Sequence, residues 1–106
     1  MVNYKFVKKP IVVEAFQLTQ ERMLDSRDWP EWLMAAWNMD PSSVGAMYME
    51  SYTKVGNKNQ LLIRTLEGQH EVTWGDWIIQ GTEGELYPCK PAIFEVIYKQ
   101  HKEKGE

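Results

Sequence analysis

The chain predicts an α+β fold: a curved antiparallel β-sheet, or a partly closed small barrel, of about six to seven strands with one helix packed against it. Three observations predict it. Residues 61–98 run as short apolar segments broken by Gly68, Gly75, Gly81 and Gly84, where the chain must reverse. A single segment has helical spacing, with Trp29, Trp32, Leu33, Ala36 and Trp37 on one apolar stripe. β-branched residues cluster near the start, in IVVEAFQL. Curvature is expected because glycines interrupt the strands and the sheet edges need protection.

The first strand is predicted over residues 11–18, just after Pro10, where a missing N–H is tolerated. Residues 20–27 are charged and read as a short helix or a loop. The helix is predicted over residues 29–38, with Asp28 as cap, Glu31 closing a capping box and Pro30 in the first turn. Residues 40–43, DPSS, end it. A strand over 46–52 follows, then a polar loop over 54–60 containing Gly56 and Asn57. Strands are expected at 61–65 and 70–73 across the turn at Glu67-Gly68, then at 77–80 and 85–89 across residues 81–84. Pro88 and Pro91 exclude the second of these from the middle of a sheet. A last strand is read at 94–99, and 99–106 as a solvated tail. Consecutive reversals from Leu61 onward favour meander pairing.

A chain of 106 residues is one domain with one small core. Its net charge of −3 argues against general binding to duplex DNA, which needs a basic face. One cysteine, Cys89, excludes a disulfide framework and a cysteine-rich zinc site. Two histidines are too few for a histidine metal site, and no cofactor motif is present. The segment GTEG joins two strands and precedes no helix, so it is no phosphate loop. No apolar run approaches a membrane span or a signal core, and the expected location is a cell cytoplasm.

Three motifs carry a resemblance. They are KKP-x-x-V-E-A at residues 8–15, L-E-G at 66–68, and G-D-W-I-I-x-G-x-x-G-E-x-Y-P-C-K-P-x-I-F at 75–94. With these the chain resembles a widespread group of small proteins of tailed, mostly temperate bacteriophages. Trp74 stands where that group often has proline, and Ala92 where it usually has an acidic residue. The resemblance implies a phage origin, a host-cell cytoplasmic setting and a common fold. It supplies no catalytic residue.

Candidate sites follow from side-chain chemistry. Arg64 and Lys90 are the cations expected on ordered backbone, and Trp74 or Tyr87 can stack beside them, so a small anionic ligand is one expected partner. Asp76 is expected to bond its own turn; with Trp77 it is the other candidate lining of a pocket. Glu83 and Glu85 read as a solvated turn. Cys89 reads as a small buried hydrophobe in a proline corner, not as a nucleophile. The expected function is therefore non-enzymatic: a phage accessory protein that acts by binding, sequestering a nucleotide signal of host defence. The alternatives are a module that inhibits or caps a host or phage protein, with exposed Trp74 as anchor, and a cysteine-dependent enzyme. Homo-oligomer formation is compatible with either binding reading.

Overall fold

The computed structural model describes residues 10–52 and 58–98. In chain order these form β1 (Glu14–Gln17), α1 (Gln20–Leu24), a 3-10 turn (Ser26–Asp28), α2 (Glu31–Trp37), β2 (Met47–Tyr52), β3 (Lys58–Thr65), β4 (Gly68–Val72), β5 (Trp77–Gln80), β6 (Leu86–Cys89) and α3 (Pro91–Ile97). The expected polar loop at 54–60 is strand from Lys58 onward; its remainder and the expected tail lie outside the described residues.

The α+β class holds, with six antiparallel strands, but they form two separate three-stranded sheets. One has the order β1-β5-β6 and the other β2-β3-β4, and neither closes into a barrel. The expected meander therefore breaks between β4 and β5. The turn between them explains the break. Thr73 N–H donates to Asp76 Oδ2 at 2.9 Å, and Asp76 N–H to the Thr73 carbonyl at 3.0 Å. Leu18, just past β1, then takes hold of this turn. Its N–H donates to the Asp76 carbonyl at 2.9 Å, and its carbonyl accepts from Gly75 N–H at 2.8 Å. The chain leaves the turn already paired to the end of β1, so β5 continues along β1 and not along β4.

Gly75 has φ near 97°, a conformation open to glycine and strained for a side chain. A Cβ there also meets Pro91 Cγ at 3.8 Å. Gly75→Val is expected to destabilise by about 1–3 kcal/mol, because a β-branched residue is least tolerant of positive φ. Chemical denaturation checks this, and an unchanged midpoint counts against the turn. Gly81 needs no special backbone conformation, and the nearest neighbour of a Cβ there is the movable end of one side chain, the Glu85 carboxylate.

The main core lies between the two sheets. Ile78 and Leu86 from the first sheet meet Met47, Leu61, Ile63 and Val72 from the second. α2 closes the core with Leu33 and Ala36, joined by Leu18 and Trp29. The helical stripe thus faces inward as its spacing requires. Its start differs from expectation: Pro30 occupies the cap position with no side-chain cap bond, and Asp28 belongs to the preceding 3-10 turn. The cap there is Asp25, whose Oδ1 accepts from Arg27 N–H at 3.2 Å. Trp29 is buried, crosses Trp37 edge-on at 6.1 Å and donates its indole N–H to the Arg22 carbonyl at 2.7 Å. Trp32 is only half-buried, and its indole N–H is enclosed without a partner.

The expected strand at 94–99 is instead the helix α3, with Pro91 in its first turn. β-branched and aromatic residues favour a strand in isolation, but here tertiary packing overrides them. Trp77 stacks on Phe94 at 4.1 Å and 5°, and Phe94 on Tyr98 at 5.0 Å. Phe94 and Tyr98 are four residues apart, one helical turn. The Tyr98 and Tyr87 hydroxyls meet at 3.3 Å. In the register of β5 with β6, Trp77 pairs with Cys89 and Ile79 with Tyr87. These residues share the sheet face turned away from the main core. α3 covers that face, and Ile79 beneath is fully buried.

Candidate binding cleft

The tip of the β3–β4 hairpin meets the start of β6 and the loop before β2. Between them lies a cleft of about 310 Å³, lined by Val44, Gly45, Arg64, Thr65, Leu66, Glu67, His70, Glu85, Leu86 and Tyr87. Its volume is at the lower end of the range of small-molecule sites, roughly 300–1,000 Å³. The hairpin turns at Gly68, whose φ is near 117°. Thr65 fixes the turn, donating its hydroxyl to the Gly68 carbonyl at 3.0 Å and accepting Glu67 N–H at 3.1 Å. The turn leaves Leu66 almost wholly exposed at the rim.

Arg64 and Tyr87, two of the six sequence-derived candidates, line this cleft. Arg64 Nε donates to the Pro41 carbonyl at 2.6 Å, and its Nη2 to the Tyr48 hydroxyl at 3.2 Å. Gln69 donates to the same hydroxyl at 2.5 Å. The guanidinium lies 5.6 Å from the Tyr48 ring centre, over the outer face of the second sheet. Burial, reinforced by the Tyr98 hydroxyl, pushes the Tyr87 phenol well above its usual range. Tyr87 is therefore neutral at physiological pH.

The other four candidates belong to a different place. Lys90 Nζ donates to Thr73 Oγ1 at 2.6 Å and lies 3.3 Å from Asp76 Oδ2. Asp76 is about 1% exposed, and its Oδ1 has no hydrogen-bond partner. Trp77 stacks beneath α3, and Trp74 is 47% exposed beside it in the turn. The structure thus divides the expected cation pair. Arg64 lines the cleft with its guanidinium bonded to Pro41 and Tyr48, while Lys90 is tied to the β4–β5 turn, joining the Gly-Asp-Trp and Cys-Lys-Pro segments of the longest motif.

Glu67, Glu71 and Asp76 are the residues the sequence offers His70 as metal partners; the cleft is lined by Glu67 and His70 with Glu85, which the sequence does not join to them. The signal was the hairpin at Glu67-Gly68 together with the start of β6, but only the packing of one sheet on the other joins them. Glu85 Oε2 accepts Glu83 N–H at 3.1 Å. The side chains of Glu67 and His70 have no hydrogen-bond or ion-pair partner among the described residues. No three His, Cys, Asp or Glu residues among those described are placed to hold a metal ion.

Comparison with known proteins finds no matching family model, no matching curated protein and no matching solved structure. Among the described residues no helix is long and apolar enough to cross a membrane.

Cys89 is half-buried on β6, and its thiol makes a long contact of 3.7 Å to the Lys90 carbonyl. No base is hydrogen-bonded to it among the described residues. Burial raises its pKa, and the nearby Asp76 charge adds to the effect. A raised pKa means less thiolate at neutral pH. Alkylation at pH 7 is expected to be slower than for an unfolded thiol, with the rise in rate displaced to higher pH. Following the rate against pH, with and without denaturant, checks this; fast native labelling at pH 7 counts against it.

Proposed function

We propose that the protein acts by binding and not by catalysis, with the cleft beside the β3–β4 hairpin as its ligand site. The supporting observation is the cleft itself, a space of about 310 Å³ with Tyr87, Leu66 and Val44 as apolar wall and several polar groups at its mouth. The motif resemblance adds a setting: a phage accessory protein in the host cytoplasm that sequesters a small molecule of host defence. The anionic ligand class expected from Arg64 and Lys90 keeps only Arg64 at this cleft.

A second reading draws on α3. Ile93, Val96 and Ile97 are 52%, 85% and 63% exposed on a helix with no buried residue. Such a face suits a module that inhibits or caps another protein. One experiment separates the two readings. Amide resonances are followed by NMR while fractions of infected-cell extract, split at low molecular mass, are titrated in. Shifts at Gly45, Thr65 and Leu86 from the small-molecule fraction support the cleft. Shifts confined to α3, produced by the protein fraction alone, overturn the small-molecule reading in favour of the second.

A further inference from the structure

We propose that the outward face of α3 is a self-association surface, on which α3 of a second copy of this chain packs about a twofold axis. The proposal is independent of the cleft and gives α3 an occupant other than a foreign protein.

Three observations support it. The first is that α3 is apolar on both sides. Phe94 and Tyr98, one turn apart, face the sheet through Trp77 and Tyr87. Ala92, Ile93, Val96 and Ile97 stand on the other side and are all exposed, Val96 to 85%. Of the residues Pro91–Ile97 only Glu95 is charged. A helix that is apolar all round belongs in an interior. Its seven residues rise only about 10 Å, too short to cross a membrane, so its cover is another protein surface.

The second observation is the shape of the exposed side. Ala92 and Val96 are four residues apart, and so are Ile93 and Ile97. They form two parallel ridges with a groove between them. Across a twofold axis a ridge of each helix enters the groove of the other, and the small Ala92 lets the backbones approach. One strip thus supplies both halves of the contact.

The third observation is charge and size. The strip has no charge of its own, with Glu95 at its flank, so it offers a basic or acidic partner nothing to pair with and matches its own copy. Ile93, Val96 and Ile97 offer roughly 120–240 Å², taking about 60–120 Å² for each fully buried aliphatic side chain. Trp74 extends this surface, since its neighbour Gly75 lies against Pro91. A standard interface takes about 800 Å² from each partner. The smaller area fits a weak, reversible pair. Each copy carries −3, so two copies repel at long range and salt relieves the repulsion.

The test uses the whole chain alone, without extract or added ligand. Sedimentation velocity and amide spectra are recorded from about 10 μM to about 1 mM protein. The expected result is a monomer–dimer equilibrium with a Kd of about 0.1–1 mM that tightens as salt rises. Dilution is expected to shift Ile93, Val96 and Ile97 and to leave Thr65 and Leu86 in place. Val96→Glu is expected to weaken association about tenfold or more, with a melting temperature near that of the parent. Leu24→Glu, at an equally exposed apolar position on α1, is the control and is expected to leave association unchanged. A monomer throughout the concentration range overturns the proposal. So does association that Val96→Glu leaves intact, or dilution shifts that spare α3. Association that weakens as salt rises overturns it too, because charged groups then carry the contact. Each of these results leaves the cleft reading standing, since no ligand is present.

Discussion

Replacing Ile78 by alanine is expected to cost about 2–5 kcal/mol, the range for truncating a fully buried aliphatic side chain. Ile78 has no exposed surface and lies on β5, the central strand of its sheet. Phe16 of β1 and Pro88 of β6 stand opposite it in register, and the side chain enters the core shared with Leu33 and Ile63. Elements on both sides are fixed by their own hydrogen bonds, so the space left by the lost methyl groups closes poorly. Total stability for a domain of this kind is about 5–15 kcal/mol, so the variant stands near the threshold of folding. Urea denaturation gives the difference directly. Val96→Ala, at an outward position on α3, is the comparison and should lie within about 0.5 kcal/mol of the parent. A midpoint for Ile78→Ala equal to that of Val96→Ala contradicts the packing of the two sheets.

The second large effect is expected at Lys90. Lys90→Met keeps the aliphatic stem and removes the ammonium, leaving the Asp76 carboxylate enclosed with Thr73 N–H as its remaining donor. Loss of one partner from a fully buried pair costs about 3–5 kcal/mol. Here the lysine side chain is 55% exposed, so water screens part of the interaction and about 1–3 kcal/mol is expected. The informative comparison is the double variant with Asp76→Asn. The amide oxygen can still accept from Thr73 without an uncompensated charge, so the double variant should recover part of the loss. Strict additivity of the two single changes rules out an energetic link between them.

Much of the fold was legible where local chemistry and tertiary packing agree. The strand at residues 77–80 coincides with β5, because its apolar run is bounded on both sides by glycine turns. The tryptophan stripe identified α2, because a helix can hide that spacing along only one face. At α3 the Ile, Val and aromatic residues point to a strand, and the helix forms instead. Pro91, together with the spacing of Phe94 and Tyr98, was the helical signal, but its meaning depends on Trp77 lying beneath. The Asp76–Lys90 pair was within reach of the sequence. Once residues 77–80 and 85–89 form a hairpin in which Trp77 faces Cys89, the next residues outward are Asp76 and Lys90. The cleft was not within reach, since Glu67 and Glu85 come to line one cleft only through the packing of the two sheets.

The pairing of β1 with β5 has a consequence for synthesis on the ribosome. β2, β3 and β4 are consecutive, so their sheet can assemble as soon as Val72 has been made. The other sheet cannot. β1 leaves the ribosome first, yet its partner is near the far end of the described chain, with Ala15 opposite Ile79. During that delay Phe16 and Leu18 have no strand to receive them, and their contacts close a loop that spans most of the chain. The pairing of β1 and the Leu18 clasp on the Gly75-Asp76 turn thus wait until β5 has been made. A hydrogen-exchange pulse during refolding should find Phe16 and Leu18 protected after Leu62 and Ile63.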